Sequence, residues 1–372
     1  MYFWERDFLF PALCSLSNHT NTGSMNQIVR VGLIGYGMAG EVFHAPAIAV
    51  IPELKLIKVV ERHGTKCQAR YPGVETVSSA EELLKDSDID LVVVATPNTS
   101  HFELVQKALL ADKHVVVEKP FTPTSQQATE LIALAQQRHK LLSVHHNRRW
   151  DGDFLTVKQI IENGVLGKLV EYEVHFDRFR NQIKTNWREY DEPGSGILYD
   201  LGSHLIDQAI CLFGLPDTVN ADIRKQRPQA KTADAFELIL NYGELKVTAK
   251  AGQLVRELGP HFLLHGTAGS FIKYGMDPQE EALKQGRLPK GSDWGKEPQK
   301  RWGVLNTDIN RLHFYGKIET LAGYYPAYYQ NIYNVITQNE ELIVKPEQAK
   351  NTIRIIELAM ESQVQKRTLD FC

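Results

Sequence analysis

A glycine-rich turn near the beginning of the chain constrains the fold more than any other segment does. Gly35, Gly37 and Gly40 have the spacing GxGxxG, after the apolar run 28–34 and before the helix-like segment 45–50. In such a turn the first glycine allows a sharp bend, the second lets the backbone approach a pyrophosphate, and the third allows close helix packing. A strand, this turn and a helix in that order predict a dinucleotide-binding α/β domain.

The end of the next apolar run indicates which dinucleotide is bound. Glu61 follows the run 54–60, about 20 residues beyond the glycine turn, where a carboxylate accepts hydrogen bonds from the adenosine ribose. Its charge would repel a 2′-phosphate, which favours NAD. Arg62 comes next, and a guanidinium there could bind that phosphate, so NADP stays open. Met38 and Ala39, at the predicted helix N-terminus, are further expected cofactor contacts.

Apolar runs and helical segments alternate as far as residue 150. The runs are continuously apolar, which is typical of a parallel sheet covered on both faces. Further strands are predicted at 91–95, 114–117 and 141–145, and helices at 79–84, with Ser79 as cap, 100–110 and 125–138. The fold class is therefore α/β, with an N-terminal Rossmann domain over 27–150. Residues 1–26 are an extension that is expected to be disordered.

The pattern changes after Trp150. Segments of alternating character predict mostly antiparallel strands of one large open sheet at 170–179, 235–242, 246–254 and 261–266. Helices are predicted at 154–163, 200–213, 328–338 and 347–364, and a long surface loop at 278–301. We therefore expect a second, α+β domain over 151–372, with a cleft between the two domains.

Composition argues against several kinds of partner. The chain has a formal charge of -3, with 43% hydrophobic and 23% charged residues, so we expect it to bind neither nucleic acid nor a membrane. Four cysteines are scattered without metal-ligand spacing: Cys14, Cys67, Cys211 and Cys372. This pattern is typical of free thiols in a reducing compartment. The sequence therefore predicts a cytoplasmic protein, without a metal site, that acts on a small molecule.

Polar residues follow two predicted parallel strands, at the edge where open α/β sheets bind ligands. The loop after the strand 91–95 contains four of them: Thr96, Pro97, Asn98 and His101. The alternative for this loop is a helix N-cap by Asn98 or Ser100. Lys119 ends the next strand, where burial would lower its pKa and suit it to proton transfer from an alcohol. The alternative is a lysine that reaches the rim of the sheet.

Asp200 and His204 are four residues apart in the predicted helix 200–213, so their side chains share one face. Such a pair is more often a surface interaction than a catalytic one. The flanking glycines and the apolar neighbours Leu201 and Leu205 indicate a packed helix end, which favours a shared site.

The segment Glu118-Lys119-Pro120 resembles the Glu-Lys-Pro motif of the Gfo/Idh/MocA family, the glucose-fructose oxidoreductase and inositol dehydrogenase group. The resemblance covers nearly the whole chain from about residue 27, including 147–150 and 194–207, and is greatest to scyllo-inositol dehydrogenase-like members. It implies an NAD(P)-dependent dehydrogenase of a cyclic polyol or sugar, with inositols first, that forms a homodimer or homotetramer through the second sheet.

The same resemblance assigns Lys119, Asp200 and His204 to the catalytic constellation. When a secondary alcohol gives up hydride, a histidine near neutral pKa is a natural base for its hydroxyl proton. Lys119 would then stabilise the negative charge developing on that oxygen, and Asp200 would orient the substrate hydroxyls or the base. Which of Lys119 and His204 takes the proton stays open.

Other candidates surround the predicted cleft. The expected cofactor contacts are Glu118, Lys119, Asn147, Trp187 and Arg188, and the expected substrate contacts are Lys119, Arg148, Asp177, Arg178, Asp200 and His204. An ion-paired hinge is the alternative for Arg148 and Arg149, and a packing role for Trp187. Two other functions stay open. One is reduction of a different carbonyl, such as a sugar aldehyde or a tetrapyrrole; the other is a non-catalytic dinucleotide-sensing regulator.

Overall fold

A computed structural model of the protein describes residues 27–62, 64–184 and 187–371. The predicted extension 1–26, Cys372 and the side chain of Trp187 lie outside the described part. Cys67 and Cys211 are free thiols. Among the helices of the described ranges, none has the length and apolar character that crossing a membrane requires.

Six parallel strands form the first sheet, as the apolar runs predict. They are β1 (Val29–Ile34), β2 (Leu54–Val60), β3 (Glu75–Val77), β4 (Leu91–Val94), β5 (His114–Val117) and β6 (Leu142–Val144). Their order, β3-β2-β1-β4-β5-β6, is that of a doubly wound Rossmann sheet. The order reverses between β1 and β4, so the carboxyl ends of these strands border a ligand-binding crevice. The sequence analysis predicts every strand of this sheet except β3, which is short and pairs with β2 over just three residues.

Five helices connect these strands: α1 (Ala45–Ala49), α2 (Lys66–Arg70), α3 (Ala80–Leu84), α4 (His101–Leu110) and α5 (Ser125–Gln137). A π-helical turn, Gly40–His44, leads directly into α1. The predicted cap of α3 is confirmed, because the Ser79 hydroxyl accepts a hydrogen bond from the Glu82 N–H at 3.2 Å.

Nine strands form the second sheet: β7 (Leu169–His175), β8 (Thr218–Arg224), β9 (Ala235–Tyr242), β10 (Leu245–Gly252), β11 (Phe262–Gly266), β12 (Gly269–Lys273), β13 (Gly303–Ile309), β14 (Leu312–Ile318) and β15 (Leu369–Asp370). Their order is β14-β13-β12-β11-β7-β10-β9-β8-β15. The predicted mostly antiparallel sheet is confirmed, since β7 and β10 are the one parallel pair among the strands described.

The helices of the second half are α6 (Gly152–Glu162), α7 (Ser203–Phe213), α8 (Gln279–Lys284), α9 (Pro326–Gln338) and α10 (Pro346–Gln365). A second π-helical turn, Leu198–Gly202, precedes α7. The apolar sides of α7 and α10 join inward-facing residues of β8, β9 and β10 in one core. This core holds the beginning of α7 at the cleft.

The prediction of a long surface loop at 278–301 is correct only in part. Most of the segment is exposed and irregular, but it contains α8, and Gln279, Leu283 and Glu297 are buried. The two buried polar side chains are bonded within the protein: Gln279 donates to the Trp150 carbonyl oxygen at 3.0 Å, and Glu297 pairs with buried Lys273. A polar composition therefore concealed a packed segment.

Helix α9 packs against the first sheet although it follows the second sheet along the chain. Tyr328, Tyr329 and Ile332 belong to the same apolar core as residues of β1 and β4. The Tyr328 hydroxyl also lies 3.0 Å from the hydroxyl of Ser143 in β6. The core of the Rossmann sheet is thus completed by a helix far beyond residue 150, and the boundary between 150 and 151 stays a prediction.

A buried ion pair joins the two halves of the chain at the hinge. Arg149 follows β6 and donates to both carboxylate oxygens of Asp207 in α7, at 2.8 Å and 2.6 Å. Both residues are buried. Two hydrogen bonds from one planar guanidinium fix the orientation of α7 relative to the chain that follows β6.

Removal of Arg149 should therefore destabilise the protein strongly. We expect Arg149→Ala to lower the free energy of unfolding by about 3–5 kcal/mol, because the Asp207 carboxylate would stay buried without its partner. The control is Arg224→Ala, which removes an exposed guanidinium from Asp222 and should change stability little. Urea unfolding followed by circular dichroism measures both, and an equal loss in the two variants would contradict the role given to the hinge pair.

Candidate active site

The glycine turn has the geometry that its three glycines predict. Gly35 has a φ of +101°, and a Cβ there would lie 2.7 Å from the Ala95 carbonyl oxygen. A Cβ on Gly40 would overlap the carbonyl oxygen of Gly35. A Cβ on Gly37, in contrast, would meet nothing within 4 Å, which leaves its backbone open to a ligand. The turn therefore fits the pyrophosphate of a dinucleotide.

Two cavities meet at this turn. The first, of about 620 Å³, is lined by these predicted cofactor residues: Gly35, Gly37, Glu61, Arg62, Thr96 and Pro97. The second, of about 310 Å³, is lined by these predicted site residues: Met38, Ala39, Glu118, Lys119, Asn147, Arg148, Arg188, Asp200 and His204. Because Gly37 borders the first cavity and Met38 the second, one elongated ligand can occupy both.

Lys119 and Asp200 connect the two sheets across the second cavity. Lys119 follows β5, and its ammonium donates hydrogen bonds to the Asp200 carboxylate at 2.9 Å and to the Asp200 carbonyl oxygen at 2.7 Å. Arg188 donates to the same carboxylate oxygen at 3.0 Å. Asp200 lies in the π-helical turn before α7, and such turns are frequent at functional sites. Here the turn presents a side-chain and a main-chain oxygen to one lysine.

Burial determines the charge states of the predicted catalytic residues. It lowers the pKa of Lys119, and the Asp200 carboxylate opposes that shift. Burial alone would raise the pKa of Asp200, but Lys119 and Arg188 outweigh it and hold this pKa well below its usual range. Asp200 is therefore an anion at neutral pH.

His204 is neutral for the same reason. Burial lowers the pKa of His204 well below its usual value, and the positive charges of Lys119 and Arg148 lower it further. Its Nδ1 atom is buried without a hydrogen-bond partner among the residues described.

Glu118 lies in a buried cluster that the sequence analysis does not predict. His44 Nε2 and His145 Nδ1 each lie 2.9 Å from its Oε1, and the Tyr329 hydroxyl lies 2.5 Å from His44 Nδ1. Burial would raise the pKa of Glu118, but these two histidines hold it well below its usual range. The donor atoms of this trio lie close enough to hold a metal ion. Their mutual contacts account for the arrangement without one, and they fix a negative charge beside Lys119.

The two arginines after β6 have different roles. Arg148 lines the second cavity and pairs with Glu280 at 2.6 Å and with Asp151 at 3.1 Å. Arg149 forms the buried hinge pair with Asp207 described above. The ion-paired alternative raised for this segment is thus found at both residues, and substrate contact by Arg148 stays a prediction.

Among the predicted site residues whose side chains are described, four line neither cavity: Gly40, Asn98, His101 and Asp177. Asn98 is buried and donates to the Gly194 carbonyl oxygen at 2.7 Å. His101 lies between the carbonyl oxygens of Thr96 and Pro120, at 3.0 Å and 2.9 Å, and links the loops after β4 and β5. Ligand contact by these four residues stays a prediction.

Four charged residues of the second cavity are missed by the sequence analysis: Arg180, Lys184, Glu280 and Lys284. Glu280 and Lys284 lie one helical turn apart on α8, inside the segment that was expected to be a loop. Arg180 stands two residues after Arg178, a spacing that places side chains on one side of an extended chain. These two spacings are the sequence patterns from which the missed residues could have been predicted.

The carboxylate of Glu61, on which the NAD prediction rests, already forms hydrogen bonds within the protein. Its carboxylate oxygens accept hydrogen bonds from the backbone N–H groups of Lys66 at 3.1 Å and Cys67 at 3.2 Å. Both groups belong to the first turn of α2, so the carboxylate acts as a cap of that helix. Arg62 and Lys66 line the same cavity.

The glycines of the turn should differ sharply on substitution. Gly40→Ala should lower the thermal midpoint and abolish dinucleotide binding, because its Cβ overlaps the backbone of Gly35. Gly37→Ala should fold with a nearly unchanged midpoint, since its Cβ enters open space, yet bind the dinucleotide at least about 10-fold more weakly. Differential scanning fluorimetry and titration of reduced-cofactor fluorescence measure the two effects. Strong dinucleotide binding by Gly37→Ala would contradict the assignment of the cradle.

Comparison with known proteins gives matches over both halves of the chain. Residues 29–146 match the family model described as the NAD-binding Rossmann fold of the Gfo/Idh/MocA oxidoreductases, and residues 158–371 match the model of their C-terminal alpha/beta domain. These two matches leave little of the described chain unassigned.

Relatives of known name and structure agree with these matches. The Escherichia coli protein named uncharacterized oxidoreductase YdgJ is 46% identical over 93% of this chain and 99% of its own. The Bacillus subtilis scyllo-inositol 2-dehydrogenase (NADP(+)) IolW is 41% identical over 92% of this chain and 95% of its own. A solved structure from Bacteroides fragilis superimposes with a TM-score of 0.87, at 45% identity, over 93% of this chain and 100% of that one.

The Rossmann sheet with its glycine cradle, the large open sheet and the matches to both family models lead to one conclusion. The chain belongs to the Gfo/Idh/MocA family of oxidoreductases, and a nicotinamide dinucleotide is its cofactor.

Proposed function

We propose that this protein is an NADP-dependent dehydrogenase that acts on a secondary alcohol of a cyclic polyol or sugar. One observation carries the proposal. A neutral imidazole, His204, and an ammonium held by Asp200, Lys119, line the same small cavity beside the dinucleotide cradle. Removal of a hydroxyl proton and stabilisation of the resulting oxygen charge need these two groups.

Each residue of the site has a separate role in the proposed reaction. A nicotinamide dinucleotide held by the glycine turn would supply the hydride acceptor for the substrate carbon, or the hydride donor in the reverse direction. His204 accepts the hydroxyl proton, because its lowered pKa keeps the imidazole neutral. Lys119 donates a hydrogen bond to the same oxygen and stabilises its negative charge. Asp200 holds the ammonium in place through two hydrogen bonds.

Substitution and pH dependence test these roles together. We expect Lys119→Met to lower kcat by about 100- to 1000-fold, with little change in cofactor affinity, while the surface control Lys158→Met leaves kcat unchanged. In the wild type, activity should fall as the pH drops through the lowered pKa of His204, with a midpoint below 6.5. It should also fall as the pH rises through the lowered pKa of Lys119, with a midpoint below 10.5.

The pH profile of kcat/KM and stopped-flow hydride transfer measure these effects. The alkaline decrease should disappear in Lys119→Met, because the group that loses its proton is no longer present. Retention of wild-type kcat by this variant would refute the assigned role of Lys119.

The choice of NADP rests on the first cavity. The Glu61 carboxylate bonds the N-terminus of α2, so its charge is already compensated there. Arg62 and Lys66 add two cations that could bind a 2′-phosphate. The relative named for NADP supports the same choice.

Cofactor titration tests this choice. We expect NADP to bind at least about 10-fold more tightly than NAD, and Arg62→Gln to remove most of that difference by weakening NADP alone. Isothermal titration with both cofactors, on wild type, Arg62→Gln and the exposed control Arg256→Gln, provides the measurement. Tighter binding of NAD by the wild type would instead support ribose recognition by Glu61.

The other candidate substrates receive less support. A tetrapyrrole presents large apolar rings, whereas the lining of the second cavity is dominated by charged side chains. Exposed apolar residues on the edge strand β14, including Leu312 and Tyr315, favour an assembly of two or four copies through this edge of the second sheet.

A further inference from the structure

The second cavity has an excess of positive charge. Seven cationic side chains line it: Lys119, Arg148, Arg178, Arg180, Lys184, Arg188 and Lys284. The same lining contains three carboxylates: Glu118, Asp200 and Glu280. The charge of a cavity this small is sensed by any molecule that enters it, because little water remains to screen the charges.

The carboxylates are already committed to other groups. Asp200 binds Lys119 and Arg188, and Glu280 binds Arg148 at 2.6 Å and Lys284 at 2.5 Å. Glu118 faces its two histidines. After these pairs are made, Arg178, Arg180 and Lys184 have no carboxylate within ion-pair distance in the described part of the chain. None of the three therefore forms an ion pair with the carboxylates described, although Arg178 is close enough to Asp200 for that carboxylate to raise its pKa.

Arg178 is held in place although it has no anion. Its guanidinium stacks on the buried ring of Phe176, 4.9 Å from the ring centre, and Arg148 stacks on the same ring at 4.9 Å. The pKa of Arg178 is lowered to about 10: burial is the main cause, the charges of Arg180 and Arg148 act in the same direction, and the more distant Asp200 carboxylate opposes them. Arg178 still carries its proton at neutral pH. A fixed, partly desolvated cation without a partner indicates a place for an anion.

The three cations form one short segment after β7, and Arg178 and Arg180 lie on one side of it. They belong to the second sheet, whereas the glycine cradle for the pyrophosphate belongs to the first sheet. A guanidinium suits carboxylate and phosphate groups because it can donate two parallel hydrogen bonds to their oxygens.

We propose that Arg178, Arg180 and Lys184 form a subsite for an anionic group of the substrate, so that the substrate is a sugar or polyol bearing a carboxylate or a phosphate. The proposal rests on the proposed dehydrogenase function and narrows its substrate class. The reacting hydroxyl lies at Lys119 and His204, and the anionic group lies at Arg178, Arg180 and Lys184, which line the same cavity. Uncharged inositols would leave these three cations without an anion.

Binding to the cofactor-loaded full chain tests the subsite with three related probes: glucose, glucuronate and glucose 6-phosphate. By isothermal titration we expect one of the two anions to bind at least about 10-fold more tightly than glucose, and the stronger one identifies the anionic group. Arg178→Gln should weaken that anion by about 10- to 100-fold and change glucose little. In turnover assays the loss should appear in KM more than in kcat.

Two further variants serve as controls. Arg256→Gln removes an arginine that stacks on Phe179 outside both cavities, and it should leave anion affinity within about 2-fold of wild type. Arg178→Lys keeps the charge and should retain part of the preference for the anion, which separates loss of charge from loss of folding.

Three results would overturn the proposal: equal binding of glucose and both anions, an Arg178→Gln effect of the same size on all three probes, or anion binding that saturating cofactor abolishes. The subsite and the reaction can fail separately. If anion binding depends on Arg178 but no sugar or polyol is oxidised, the dehydrogenase function fails and the subsite stands. If a sugar or polyol is oxidised but Arg178→Gln leaves the binding and turnover of the anionic substrates unchanged, the subsite fails and the reaction stands.

Discussion

The contact between Lys119 and Asp200 is the interaction on which the site depends. Each residue alone would be an isolated charge in a place with little water, and an unpaired buried charge is strongly unfavourable. Together they form two hydrogen bonds between the carboxyl end of β5 and the π-helical turn before α7. The contact also affects the charge states of the site, since Lys119 holds the pKa of Asp200 down and adds to the effect of burial in lowering the pKa of His204. The Arg149–Asp207 pair likewise joins the end of the first sheet to α7.

Much of the fold follows from local sequence patterns. Continuous apolar runs identify five of the six parallel strands, and the Ser79 cap and the glycine spacing are recognisable because each depends on residues a few positions apart. The packing of 278–301 was not predictable in this way, since its polar groups are satisfied by partners such as Trp150 and Lys273 that lie far along the chain. The cluster of His44, Glu118 and His145 was not predictable for the same reason, because its members lie far apart along the chain. Pairings over long distances leave no periodicity in the sequence.

Glu61 shows a second limit of reasoning from motifs. Its position after β2 agrees with the spacing of a dinucleotide site, yet both of its oxygens bond the first turn of α2. Spacing identifies where a carboxylate lies relative to the cradle, but not which hydrogen bonds it makes. Asp177 and Arg178 give the same lesson, since Arg178 borders the cavity and its neighbour does not. Which neighbour faces a ligand depends on how the chain leaves its strand, and that is decided by tertiary packing.

The return of α9 to the first sheet has a consequence for how the chain acquires its structure during synthesis. The face of β1 and β4 that Tyr328, Tyr329 and Ile332 cover stays apolar and uncovered until residues 326–338 have left the ribosome. The Rossmann half is translated first, but its core is finished nearly last. A growing chain of this protein therefore carries an open hydrophobic surface through most of its translation, a state in which chaperones act.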